Sequence, residues 1–200
     1  TPGNQAVLHT FWGGRVNRPL ALAIEAAWEE KFGQGLEIFA GNDCIVVLLP
    51  HEVRGETLLS LVTEANVEGL LRRRLEGSGF FSARFRECAG RALLLSRSRA
   101  GERVPLWMSR LRSQKLLGAV REHGDFPILL EAWRTCLQDE FDMDSLVKVL
   151  AELGSGATGW SETRTAQPSP MARAVSWRQV NEYMYMGDEK AGGGATSLRR

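Results

Sequence analysis

The residues with the clearest capacity for chemistry are the arginines in the middle of the chain. Between Leu71 and Arg121 there are twelve arginines and Lys115, opposed by three glutamates, so this segment carries a net charge of +10 although the whole chain carries only +1. A guanidinium group binds phosphate through two parallel hydrogen bonds and stacks on bases. We therefore consider the segment a candidate nucleic-acid-binding face.

Helical spacing separates these arginines into groups. Arg84, Glu87 and Arg91 share one face of a predicted helix, so Glu87 could pair with both arginines. Arg86 lies on a different face and has no carboxylate three or four residues away. We predict phosphate contacts from seven arginines of the chain: Arg15, Arg18, Arg84, Arg86, Arg91, Arg110 and Arg112.

Two tryptophans are candidates for stacking on a base. Trp12 lies at the end of a predicted strand beside Gly13, and Trp107 lies at the start of a basic helix. Trp28 and Trp133 lie on amphipathic helices, so we expect them in the core. The structural alternative for the arginines is internal pairing, because residues 122–152 carry eight carboxylates against Arg134 and Lys148.

The sequence contains no motif for nucleotide hydrolysis or metal binding. GxxxxGK[ST], HExxH and GxSxG do not occur, and the GxGxxG match at residues 154–159 follows a helix rather than a strand, which indicates a turn. Cys44, Cys88 and Cys136 are far apart and form no CxxC pair. We expect reduced, buried thiols, a cytoplasmic location, no membrane segment and a monomer. We also expect the chain alone to be inactive as an enzyme.

The pattern predicts an α+β fold that begins with a β-α-β-β unit in residues 1–54. The unit combines a strand Ala6–Trp12, a helix capped by Asn17 with Pro19 in its first turn, and two strands joined by a tight turn at Gly41-Asn42-Asp43. Those two strands are Leu36–Ala40 and Cys44–Leu49.

Residues 55–186 are predicted as a mainly helical part packed on that unit, with one late edge strand and a disordered tail at 187–200. The predicted helices are Thr57–Val62, Val67–Glu76, Phe80–Leu95, Pro105–Glu122, Pro127–Phe141, a helix capped by Asp142 or Asp144 and ending at Leu153, and a last helix from Ser169 to Met186; the edge strand is Thr158–Thr165.

Several blocks of the chain resemble the DEAD/DEAH-associated region of the large helicase-related (Lhr) family. They occur in the family's order and together are specific: HTFWGGRVNRPLALA, AGNDCIVVLLP, FRECAGRALLL, PLWMSRLRSQKLL, DFPILLEAWRTCLQDEFD and PSPMA. The resemblance implies a superfamily 2 helicase that uses ATP and Mg to move along single-stranded DNA or RNA. It also implies two RecA-like motor domains and a winged helix in the same polypeptide, none of which lies in these 200 residues. In relatives an aromatic residue of this region stacks on a base, which Trp12 or Trp107 could do here.

Three functions remain open from the sequence. The first is an accessory domain that guides single-stranded nucleic acid during translocation and unwinding. The second is a purely structural brace for the motor domains, which would leave no continuous exposed basic surface. The third is a base-acting enzyme such as a glycosylase, which would require a carboxylate in a base-sized pocket.

Overall fold

The fold begins with a three-stranded antiparallel sheet covered on one face by a long helix. The computed structural model describes residues 4–95, 105–167, 169–170 and 172–173. The strands are β1 (Asn4–His9), β2 (Glu37–Ala40) and β3 (Cys44–Leu49), in the order β1-β3-β2, and helix α1 spans Gly14–Phe32. Val47 of the central strand faces Ala6 on one side and Ile38 on the other, and all three contribute to the surface that packs against the core.

The rest of the described chain is helical. Its helices are α2 (Gly55–Leu59), α3 (Val67–Glu76), α4 (Gly79–Arg91), α5 (Leu106–Val120), α6 (Pro127–Arg134), a π-helix (Thr135–Glu140) and α7 (Met143–Ser155). One core joins them to the sheet: Leu20, Ile24 and Trp28 recur every fourth residue on α1 and are buried in the same cluster as Phe81 and Phe85 of α4. The predicted α+β class is therefore confirmed, with mainly helical structure after the sheet.

Asn17 does not cap α1, contrary to the prediction. The helix begins three residues earlier, because the carbonyl of Gly13 accepts hydrogen bonds from the N–H groups of Val16 and Asn17. Gly13 has φ of 84°, a left-handed conformation that glycine adopts without steric cost. Asn17 is fully buried, and its side chain is used for hydrogen bonds to the neighbouring loops.

Residues 158–165 form no strand, so the predicted edge strand is wrong. No strand of the sheet lies alongside this segment; it is held by side chains. The carboxylate of Glu162 accepts a hydrogen bond of 2.9 Å from the N–H of Gly55, and Arg164 pairs with Glu52. The segment thus connects the end of α7 to the loop between β3 and α2.

Helices α4 and α6 show the largest differences from their predicted ends. Helix α4 stops at Arg91, where Leu93 takes a left-handed conformation and the N–H groups of Leu93 and Leu94 bond back to Gly90 and Ala89. The helix predicted as Pro127–Phe141 changes to π-helical pairing at Thr135. Most of the predicted helix at 169–186 and the tail at 187–200 lie outside the described residues.

Candidate nucleic-acid interface

The three consecutive arginines of α3 are all held in ion pairs. Arg72 lies 2.8 Å from Glu68 of the same helix, Arg73 lies 2.7 Å from Glu30 of α1, and Arg74 pairs with Glu25 and Glu29 of α1. The pairs of Arg73 and Arg74 join α3 to α1. The sequence suggested pairing with residues 122–152, but none of these partners lies in that segment. The ion pairs neutralise much of the positive charge of α3.

Arg84 of α4 is also used inside the molecule. Its guanidinium lies 2.8 Å from Glu87 and 3.2 Å from Glu140 of the π-helix, and it covers the ring of Phe80 at 5.7 Å. Only 28% of its side chain is exposed. Arg84 is therefore the predicted phosphate contact that does pair with the acidic segment.

Arg91 does not share Glu87 with Arg84, contrary to the prediction. Its guanidinium is directed across the helix to Cys88, whose sulfur accepts a hydrogen bond of 3.7 Å. The pKa of the Glu131 carboxyl in α6 is lowered mainly by a hydrogen bond from Arg134. The positive charges of Arg134 and Arg91 lower this pKa further.

The remaining predicted contacts on α4 and α5 differ in their partners. Within the described ranges, Arg86 and Arg110 form no ion pair or hydrogen bond; Arg86 is half-buried and Arg110 is exposed. Arg112 is exposed and donates a hydrogen bond of 3.4 Å to the sulfur of Met108 one turn earlier. Since α4 and α5 pack against each other, these three arginines lie on adjacent helices. Arg97, Arg99 and Arg103 lie outside the described residues.

Arg15 connects the sheet unit to the helical part. Its Nη2 donates to the carbonyls of Gln138, Asp139 and Phe141, at 3.0, 2.9 and 3.3 Å, where the π-helix ends. The carbonyl of Arg15 in turn accepts a 3.1 Å hydrogen bond from the N–H of Asp142. In a helix the carbonyl of Arg15 would accept a hydrogen bond from the N–H four residues later. That residue is Pro19, which has no N–H, so the carbonyl can accept the bond from Asp142. Arg15 is exposed but fixed in position.

The exposed aromatic residue at the end of β1 is Phe11, which the sequence analysis did not select. Its side chain is 58% exposed, whereas Trp12 is half-buried and packs against the core. Trp107, the other predicted stacking residue, is 63% exposed at the start of α5. The sequence signal for Phe11 is weak, because the position of its side chain depends on the strand ending at His9 instead of Trp12.

A buried hydrogen-bond network fixes the loop that contains Phe11. The hydroxyl of Thr10 donates to Oδ1 of Asn17 at 2.8 Å, and Nδ2 of Asn17 donates to the carbonyls of Gly41 and Asn42, both at 2.9 Å. The carbonyl of Asp43 accepts from the N–H groups of Thr10 and Phe11. This network joins the start of α1 to the turn between β2 and β3.

A carboxyl group with a clearly changed pKa and an open groove occur at different places in the described residues. The carboxyls of Glu131 and Asp142 are the ones with a clearly changed pKa there, and both are lowered. An open groove of about 1300 Å³ lies between the α2 region and α7, beside Trp160; the carboxylates that line it are those of Glu56, Glu64 and Glu152, and neither Glu131 nor Asp142 lines it. No group of three His, Cys, Asp or Glu side chains in the described parts could hold a metal ion. No described helix is long and apolar enough to cross a bilayer.

Comparison with known proteins gives a consistent result. Residues 1–172 match the DEAD/H-associated family. The chain is 39% identical over 188 residues to a Lhr helicase/probable uracil glycosylase of Mycolicibacterium smegmatis, and 36% identical over 185 residues to the Lhr helicase/uracil glycosylase of Escherichia coli. These matches cover 92% and 91% of this chain but only 12% of each relative, so the chain corresponds to a small part of their length.

A solved structure is also similar to this fold. It is described as the Mycobacterium smegmatis helicase Lhr bound to ssDNA and AMP-PNP, and it aligns with a TM-score of 0.76 at 38% identity. The alignment covers 86% of this chain and 22% of that one. The similarity therefore includes the three-dimensional arrangement as well as the sequence.

Proposed function

The chain belongs to the DEAD/H-associated family found in Lhr-type helicases, and we propose that it is an accessory region that guides single-stranded nucleic acid during translocation and unwinding. The observation that carries the proposal is the 0.76 TM-score with a helicase bound to ssDNA. Its chemistry is electrostatic and mechanical: arginines hold the phosphates while an aromatic side chain contacts a base.

The arginines that support this proposal most directly are Arg86, Arg110 and Arg18. Arg18 and Arg110 are exposed, and none of the three forms an ion pair within the described residues. Arg15 is a fixed donor with one nitrogen already bonded to carbonyls, and Arg112 is exposed beside Arg110. Arg84 and Arg91 would need to exchange existing contacts for phosphate. Trp107 offers an exposed ring on the same helix as Arg110 and Arg112.

ATP and Mg belong to the proposal for the longer polypeptide and not to the described residues. The sequence has no loop that could surround ATP phosphates, and the described part has no cluster of metal ligands. RecA-like motor domains and a winged helix would supply that chemistry. The described residues would act on the nucleic acid as it leaves or enters the motor.

Binding of the purified 200-residue chain to a labelled single-stranded oligonucleotide tests the proposal. Fluorescence anisotropy should detect weak binding to DNA or RNA at low salt. Three or four phosphate contacts predict a slope of about −2 to −3 for the logarithm of affinity against the logarithm of salt. Absence of binding at low salt, or binding that does not depend on salt, would contradict the proposal and favour the structural brace.

A brace remains the second candidate because of one specific observation. Three arginines of α3 are paired with α1 or with α3 itself, so part of the basic segment already has a structural use. If the whole segment worked in this way, neutralising Arg86 and Arg110 would change nothing in nucleic-acid binding.

A further inference from the structure

We propose that two surfaces of this chain bind each other between copies: the exposed side of α5 on one molecule docks in the groove between the α2 region and α7 of another. The contact joins protein to protein, so it does not rest on the function proposed above. It differs from the monomer expected from the sequence.

The groove has an apolar floor and an acidic rim. Its lining combines apolar side chains from both walls with three carboxylates and one ammonium group: Leu59, Val62, Leu150 and Leu153; Glu56, Glu64 and Glu152; and Lys148. The net charge of these groups is −2, and Glu56 and Glu64 form no ion pair within the described ranges. An acidic rim repels nucleic acid, so the groove is suited to an apolar partner that carries positive charge.

Trp160 forms a fixed wall of the groove. Its side chain is 47% exposed, and a Cβ placed on Gly55 would lie 3.5 Å from atom Cζ3 of its ring. The hydrogen bond of 2.9 Å from the N–H of Gly55 to Glu162 holds this segment against the start of α2. A tryptophan ring that is fixed at the edge of an apolar groove is the kind of side chain that dominates binding in protein interfaces.

Helix α5 has an exposed side with the opposite charge. Trp107, Leu111 and Gly118 lie within about 40° of each other around the helix axis, because they are four and seven residues apart. This α5 stripe is exposed: Trp107 by 63% and Leu111 by 45%. Arg110 and Lys115 lie on either side of the stripe, are exposed, and form no ion pair in the part of the chain that the structure describes.

The α5 stripe and the groove are complementary. An amphipathic helix that lays its apolar side in a groove is a common mode of protein recognition. Trp107 and Leu111 would contact the apolar floor, while the two flanking cations would face the carboxylates of the rim. A Cβ placed on Gly118 would have nothing within 4 Å, so the backbone of α5 can approach the groove closely there.

The contact is expected to be head-to-tail and reversible. A helix and a groove are different surfaces, so each molecule can bind one neighbour through α5 and another through its groove. The 15 residues of α5 span about 22 Å, which makes the contact smaller than the interface of a stable dimer. Association should therefore increase with protein concentration.

Sedimentation velocity of the 200-residue chain over about two decades of concentration tests the proposal. The sedimentation coefficient of the unsubstituted chain should rise with concentration. Leu111→Glu places a carboxylate on the α5 stripe, and Glu56→Lys/Glu64→Lys makes the rim basic. Each variant should associate at least about tenfold more weakly than the unsubstituted chain, because each loses one of the two docking surfaces. All these side chains are at least partly exposed, and circular dichroism would verify that the variants fold.

Two matched controls lie outside these surfaces. Leu130→Glu changes a leucine of α6 that is 51% exposed, and Glu122→Lys/Asp125→Lys changes the net charge as much as the groove variant does. Both controls should associate as the unsubstituted chain does. An equal loss in the controls would show that exposed apolar surface or total charge determines association, and the proposal would be wrong.

Mixing the two variants gives the sharpest test. The Leu111→Glu variant keeps an intact groove, and the Glu56→Lys/Glu64→Lys variant keeps an intact α5 stripe. The mixture should therefore form a dimer with one copy of each, with the affinity of the unsubstituted chain, and no larger species. If both substitutions damaged one symmetric interface, mixing would restore nothing, and the proposal would be overturned.

Other occupants of the groove would also be detected. If the unsubstituted chain remains a monomer at every concentration, the proposal fails. If it remains a monomer while an unrelated basic amphipathic peptide binds it, and Glu56→Lys/Glu64→Lys abolishes that binding, the groove takes another protein and the proposal of a second copy is overturned. The proposed function is tested separately, by oligonucleotide binding at protein concentrations where the chain does not associate.

Discussion

Helix α3 carries three arginines and the pair α4–α5 carries five, and the two regions use them differently. In α3, each of three consecutive arginines forms an ion pair: Arg73 and Arg74 pair with glutamates of α1, and Arg72 pairs with Glu68 of α3 itself. On α4 and α5, Arg86 and Arg110 face no carboxylate in the described residues. A local net charge therefore does not measure the charge that is available to a ligand. What decides availability is which carboxylates the fold places opposite each arginine.

The largest expected effect concerns nucleic-acid binding by the α4–α5 arginines. In the double variant Arg86→Gln/Arg110→Gln, two phosphate contacts are lost and the salt slope falls by about 1.4. Extrapolated from a common affinity at 1 M salt, this is a loss of roughly 65-fold at 50 mM salt. Anisotropy titrations at several salt concentrations would measure both quantities.

The double variant Arg72→Gln/Arg73→Gln is the control for this prediction, because it removes the same charge from the paired region. We expect a change in salt slope well below 1.4, since Glu68 and Glu30 already neutralise these side chains. Equal losses in the two double variants would show that only the total charge of the segment matters, and the comparison between the regions would fail.

The next effect concerns stability within α4. Arg84→Ala removes the partner of both Glu87 and Glu140 from a largely buried position, so we expect a loss of about 1–2 kcal/mol in the free energy of unfolding. Arg86→Ala removes a half-buried side chain without a partner in the described residues and should cost less than about 0.5 kcal/mol. Urea unfolding followed by circular dichroism would measure the two values. The opposite order would mean that the two faces of α4 have been assigned incorrectly.

A smaller effect is expected at the contact between α1 and α3. Arg74 pairs with Glu25 and Glu29, but 38% of its side chain is exposed, so solvent screens the interaction. A double-mutant cycle with Arg74→Ala and Glu25→Ala should give a coupling energy of at most about 1 kcal/mol. A coupling energy near zero would show that these pairs neutralise the charge of Arg74 without stabilising the fold.

Local patterns in the sequence were enough to predict much of the fold. The short apolar run Cys44–Leu49 beside a tight turn and the helical spacing in Val67–Glu76 define elements with the predicted bounds, because apolar patterns and flanking turn residues are local signals. The α+β class followed from the same signals. The edge strand at 158–165 was predicted from alternation alone, and it does not form because no strand lies beside it.

The candidate site was less predictable, since its geometry depends on residues that are distant in the chain. Arg74 and Glu25 are 49 residues apart, and Arg15 meets the carbonyl of Asp139 124 residues later. No spacing rule within one helix could anticipate these contacts. Asparagine often caps helices, but the buried side chain of Asn17 instead bonds to Thr10 and to the loop between β2 and β3. These hydrogen bonds fix the loop that contains Phe11.

The smallest expected effect separates two kinds of pairing by their response to acid. Arg15 is held by backbone carbonyls, which do not titrate. Asp142 beside it is a carboxyl whose pKa is lowered by hydrogen bonds from the N–H and the hydroxyl of Ser145, at the start of α7. The charge of Arg15 lowers this pKa further. A carboxyl with a lower pKa in the folded state stabilises the fold above its unfolded pKa, near 4, and this contribution is lost as the pH falls through the folded value. Asp142→Asn keeps a capping side chain but cannot titrate, so its melting temperature should fall slightly less than that of the unsubstituted chain between pH 5 and pH 3. The carbonyl contacts of Arg15 should persist in both proteins over this range. Scanning calorimetry at several pH values would detect the difference, and parallel curves for the two proteins would show that Asp142 contributes nothing specific to acid stability.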